Sequence, residues 1–212
     1  FAPPAHLAAF VDRFWTWRSG PADALPTIFP GTGAEVIFHI EQPPCVTTKS
    51  GSIQELATAH LLCLRSYSSC LRSDHPVSFV AVRLRTGVLE SIVRHQPAEL
   101  HDAFVPAEDA FGKIASEASE RLREKVTTKE RLSILKEFCE EAVIGYRLVD
   151  KRLRFAASHL YYHSRDARID ALAEQLSVSQ RHLQRTFEGA FGMSPKKYQR
   201  IARLHQTLRE LL

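Results

Sequence analysis

Ten of the eleven prolines lie before residue 110, and every long stretch with helical periodicity lies after it. Proline removes a backbone donor and is excluded from helix interiors and central strands. The first half is therefore confined to short strands and turns, while the second can form uninterrupted helices. At 212 residues the chain can build one large core or two small ones. This division predicts an α+β protein, with a β-rich region at 1–110, a helical pair at 111–145 and an all-α region at 146–212.

Within the first region, Ala34 to Ile40 is the clearest strand, and it ends at Pro43-Pro44. Residues 77–84 form another, with Phe79, Ala81 and Arg83 on one face and Val80, Val82 and Leu84 on the other. Phe14 to Arg18 reads as an aromatic strand preceded by a short helix. Short strands are expected at 60–64 and 67–71, and 86–95 reads as a helix. Short strands separated by proline turns suggest a β-barrel or sandwich.

Two amphipathic helices follow. Phe111 to Lys125 is the first. Thr127-Thr128-Lys129-Glu130 has the spacing of a capping box and starts the second, whose apolar stripe is Leu132, Leu135, Phe138, Cys139 and Ala142. Gly145 marks a break. Val149, Leu153, Ala156, Ala157 and Leu160 then outline the first helix of the last region.

Ile169, Leu172, Ala173 and Leu176 place an apolar stripe on a helix of about two turns. Ser179 can cap the next helix, in which Leu183, Phe187 and Phe191 point inward. Arg181, Gln184 and Arg185 share the other side. Arginine pairs with guanine O6 and N7, and glutamine with adenine N6 and N7, so this face suits a major groove. An ordinary solvated helix face is the alternative.

The run from Ser179 to Phe187, followed by Phe191-Gly192-Met193-Ser194-Pro195 and Tyr198, resembles the first helix–turn–helix of the AraC/XylS transcription regulators, over residues 150–212. The resemblance implies base contacts by Arg181, Gln184 and Arg185. It implies backbone contacts by Ser179, Gln180, His182 and Lys196. Family members carry two such units joined by a long helix. Residues 195–212 resemble that joining helix, and the sequence then stops, so the expectation is a fragment of a longer protein or a reader with one unit. The N-terminal half resembles the cupin-like effector domains that precede such readers, through Trp15, Phe29-Pro30-Gly31 before Val36-Ile37-Phe38, and residues 80–87. It departs from their usual Phe-x-Pro-Gly with Leu84-Arg85-Thr86-Gly87. This implies an effector pocket inside the barrel, with Trp15, Trp17, Phe38, His39 and Arg83 as candidates, and a ligand that is apolar, or anionic where Arg83 or Arg85 turns inward. Core packing of the aromatics and His39, and surface pairing of the arginines, are the competing readings. The helical pair is where the family often dimerises. Packing on the chain's own barrel is the alternative.

Charge agrees with a division of labour. Residues 146–212 carry 13 basic and 6 acidic side chains, a net of +7, which leaves −3 for the rest. A basic module beside a slightly acidic one suits a polyanion binder joined to a region with another task. The four cysteines are scattered, as expected of reduced thiols. No run approaches the roughly 20 apolar residues of a membrane helix. The histidines show no cluster with a glutamate that would hold a cupin metal, and no nucleotide loop or zinc-protease motif is present. The sequence therefore predicts a regulator that binds double-stranded DNA, with a small-molecule effector, no cofactor, a homodimeric state and a bacterial cytoplasmic location. The rival readings are an interaction protein that dimerises without reading DNA, and a cupin-like enzyme fused to a helical domain.

Overall fold

The computed structural model describes residues 1–20, 23–93, 97–144 and 150–211. Gly145, Val149 and His95, which enter the sequence expectations above, lie outside them. After a 3-10 turn at Ala5–Leu7 come strands β1 (Val11–Arg18), β2 (Thr27–Ile28), β3 (Glu35–His39), β4 (Cys45–Thr47), β5 (Ile53–Glu55), β6 (Ala59–Leu62), β7 (Ser69–Arg72) and β8 (Ser78–Leu84). Then follow α1 (Leu89–Ile92), α2 (Pro97–Leu100), β9 (Phe104–Pro106), α3 (Ala107–Phe111), α4 (Lys113–Glu124) and α5 (Thr128–Val143). The chain ends in α6 (Lys151–Tyr162), α7 (Ile169–Gln175), α8 (Gln180–Phe191) and α9 (Pro195–Leu211).

The architecture is α+β, but the strands do not close into the expected barrel. They form a five-stranded antiparallel sheet in the order β1-β8-β3-β6-β9 and a four-stranded one in the order β2-β7-β4-β5. The second sheet is built from strands of two to four residues, too short to supply a continuous ladder around a ring. The two layers pack face to face instead.

The large sheet has two apolar faces, as the period of two requires. Val36, Phe38, Val80, Val82 and Leu84 face α4 and α5, and join Ala115, Leu122, Leu135 and Phe138 in one core. Ile37, Phe79, Ala81 and Phe104 face the small sheet, with Val46 and Leu71 opposite. The apolar sides of α4 and α5 are thus taken up by the chain's own sheet. The capping box of α5 forms, with Thr127 Oγ1 accepting from the Glu130 N–H at 3.3 Å. The helix expected from Phe111 is split, because Gly112 at φ 67° ends α3 and precedes α4. The helix expected at 86–95 is shorter: a turn occupies 86–88, the helix runs over Leu89–Ile92, and Val93 is extended.

The C-terminal helices build a third core from Ala156, Leu160, Leu172, Leu183, Phe187, Phe191 and Tyr198, which Leu64 of the strand region also enters. Carbonyls at the end of α6 and in the segment after it are satisfied from α9. Gln199 Nε2 donates to the Ser164 and Ala167 oxygens at 3.0 and 2.7 Å, and Gln206 Nε2 to the Tyr161 and Tyr162 oxygens at 3.0 and 3.2 Å. Gly87 stands where the strand region meets these helices. Its φ is +78°, and a Cβ there would lie 3.1 Å from Arg154 Cγ. Glycine alone suits both conditions.

Candidate nucleic-acid interface and the cleft beside it

The turn between α7 and α8 is made by backbone bonds. The Ser177 N–H donates to Glu174 O at 2.9 Å and the Val178 N–H to Ala173 O at 3.0 Å, which is the Schellman pattern. Ser177 takes the left-handed position at φ 55°, where glycine is more usual. Ser179 then caps α8 by accepting from the His182 N–H at 3.1 Å. Together these bonds fix the angle between the helices and leave both apolar faces in one core.

Leu183, Phe187 and Phe191 are buried on α8, whereas Gln180, Arg181, His182, Gln184 and Arg185 are exposed. Arg181 and Arg185 make no ion pair among the described residues. Gln184 Nε2 has a long contact of 3.4 Å with Glu188 Oε1. Lys196 is exposed in the first turn of α9, whose start is capped by Ser194 Oγ accepting from the Lys197 N–H at 3.3 Å. The seven residues expected at DNA thus lie on the outer surface of α8 and the start of α9. Arg200, one turn along α9 from Lys196, is also exposed and adds to the same charge.

The five residues expected around an effector are divided by the sheet. Trp15, Trp17 and His39 lie between the two sheets, where both indoles pack on Phe79 at 5.0 and 5.7 Å. His39 stacks on His60 at 5.2 Å, and both are buried. Burial holds His39 down to about 4 and His60 down to about 3, so both rings are neutral at pH 7. Phe38, one residue along, faces the opposite way onto Phe138 at 5.1 Å. No group of three or more metal-ligating side chains assembles among the described residues.

Arg83 is in neither place. It lines a cleft of about 590 Å³ between the ends of β1 and β8 and the flank of α6. Its guanidinium pairs with Glu35 across the β3–β8 ladder and approaches Asp12 at 4.0 Å. A Cβ at Gly33 would lie 2.7 Å from Arg83 Nη2, so a bare backbone is needed for the arginine to lie there. Arg13, Arg85, Lys151 and Arg154 also line the cleft, so five cations stand against the carboxylates of Asp12, in the lining, and Glu35, paired with Arg83. Phe155, Tyr161 and Tyr162 supply its aromatic wall. The α6 contribution was missed from sequence. Its only local signal is the run of basic and aromatic residues on a helix otherwise read as core.

A family model described as Domain of unknown function (DUF6597) matches residues 1–106. No curated protein matches the sequence. Among solved structures, the 1.65 Å structure of ToxT from Vibrio cholerae is similar at a TM-score of 0.50 and 12% identity, over 95% of this chain and 83% of that one. ToxT from Vibrio cholerae O395 gives a TM-score of 0.48 at 13% identity, over 95% and 82%. The AraC-like transcriptional activator CuxR gives 0.34 at 13%, over 95% and 78%. The likeness to the first of these is one of fold.

Proposed function

We propose that this chain, which belongs to the family described as Domain of unknown function (DUF6597), is a DNA-binding transcription regulator of the AraC type. The observation that carries this reading is the two-sidedness of α8: a fully buried apolar face, and an outer face whose two arginines pair with no carboxylate among the described residues. Arg181, Gln184 and Arg185 read base edges. Gln180, His182 and Lys196 contact the backbone, and Ser179, whose oxygen is used in the cap, keeps its hydroxyl proton for a phosphate. In this reading residues 146–212 read DNA, 1–110 receive the signal and 111–145 link the two. The homodimer contact belongs to the outward sides of α4 and α5, because their apolar sides are already covered. The protein acts in the bacterial cytoplasm, and no helix among the described residues is long and apolar enough to cross a membrane.

The effector reading is best supported at the cleft beside α6, and its surplus of cations with an aromatic wall suits an anionic small molecule with an apolar body. A ligand there touches both the sheet and α6, so differential binding to two arrangements of these elements alters how the reader is presented.

Selection from random duplexes at two salt concentrations tests the reading. A short enriched motif that disappears in Arg181→Ala or Gln184→Ala is the expected result. Salt-sensitive binding without any motif would overturn it in favour of a non-reading interaction protein.

A further inference from the structure

His159 and His163 stand four residues apart at the end of α6, with ring centroids 4.9 Å from each other. Their ring nitrogens make no hydrogen bond or ion pair among the described residues, and His163 is exposed. Other histidines are engaged: His6 with Glu140, His75 with Ser73, and His205 with Pro30. The ring of Phe155, one turn earlier, stacks on His159 at 5.8 Å and 26°, which restricts the imidazole on one side and leaves the other open towards His163.

We propose that His159 and His163 form a surface chelate for one divalent late first-row transition ion, zinc, nickel or copper(II). His163 is the C-cap residue of α6, and its N–H still donates to the His159 carbonyl at 2.9 Å, so the two side chains rise close together from the helix end; metal–nitrogen bonds of about 2.0–2.1 Å are short enough to be made between rings this close. Imidazole favours these ions over magnesium or calcium, and copper(II) binds tightest of the three. Water completes the shell, since no third ligating side chain joins the pair among the described residues. One further feature favours the site. A cation at a helix C-terminus lies where the partial charge of the carbonyls is negative.

The consequence is mechanical. The last carbonyls of α6 are held by Gln206 of α9, those of the segment after it by Gln199, and Phe155 is shared between the histidine pair and the cleft. A bound ion clips the final turn of α6 and stiffens the helix that supports both. The site is independent of whether the protein reads DNA.

The test is titration calorimetry and thermal melting of the untagged full chain with zinc, nickel and copper(II) chlorides, each against a control in chelator. The expected result is uptake of one ion per chain with a raised melting temperature, both lost in His159→Ala and in His163→Ala, and both kept in Cys70→Ser and His6→Ala. His163→Gln, at an exposed position, removes one imidazole without touching the core. It should abolish uptake while melting in chelator as the parent does. Absence of uptake by the parent, or uptake that survives loss of His159, would overturn the proposal.

Discussion

Nε2 of His205, on the long C-terminal helix, lies 2.5 Å from the carbonyl oxygen of Pro30 and donates to it. The two residues are 175 positions apart, and the bond ties α9 to the turn that leads into β3. Burial holds this imidazole below its ordinary range, which favours the neutral tautomer with its proton on Nε2. His205→Ala leaves the carbonyl without its partner and is expected to cost about 1–3 kcal/mol. Urea unfolding should show it, and a separate early transition of the C-terminal helices would mark the loosened joint.

The His39–His60 pair sets the acid limit of the fold. Both imidazoles have lowered values, about 4 and about 3, because burial disfavours the charged ring. The unfolded chain binds these protons first, so the pair's contribution is complete above about pH 6.5 and is lost progressively as pH falls towards about 4 for His39 and about 3 for His60. The slope should approach about 1.4 kcal/mol per pH unit for each histidine. His39→Phe combined with His60→Leu should flatten the curve of melting temperature against pH between 4 and 6.5.

Glu90 has the opposite sign. Its Oε2 is buried without a hydrogen-bond partner among the described residues, and burial pushes its carboxyl up to about 7. The folded form favours the protonated acid, so this contribution is complete below about 4.5 and is lost as pH rises through 7. Glu90→Gln should therefore be more stable than the parent at pH 8, by about 1–3 kcal/mol, with little difference at pH 4. Equal melting curves at pH 8 would count against it.

Arg185→Ala and Lys196→Ala separate reading from holding. Loss of Arg185 should cost about 1–3 kcal/mol and relax base preference at one position. Loss of Lys196 should weaken all sequences alike and reduce the salt dependence. Binding measured against a panel of single-base variants distinguishes the two, and uniform weakening by Arg185→Ala would show that it does not read a base.

Ser177 occupies a left-handed position, with φ 55°, between the two helices of the candidate reader. A β-branched side chain is disfavoured there and glycine is not. Ser177→Val is expected to destabilise the C-terminal region by about 1–2 kcal/mol, and Ser177→Gly to be neutral or slightly stabilising. Thermal melting followed by circular dichroism should order the three proteins accordingly.

Much of the local structure was legible because its rules have short periods. The inward faces of β8, the capping box of Thr127 and Glu130, the Ser179 cap and the opposed faces of α8 all depend on residues two to four positions apart. Strands β4, β5 and β9, each of three residues, were not legible, because so short a run carries too few alternations to be distinguished from a turn.

By itself, then, the sequence determined a proline-rich strand region followed by helices, and a helix–turn–helix with its apolar residues on one side. Tertiary structure alone decided that the strands would make two open sheets, that Phe38 and His39 would be separated by the plane of one of them, and that Arg83 would meet Glu35 at a cleft closed by α6. The reason is distance along the chain. A helical or strand period is written in neighbouring residues, whereas His205 on Pro30 or Gln199 on Ser164 depends on how preformed faces pack, and no local pattern encodes that choice.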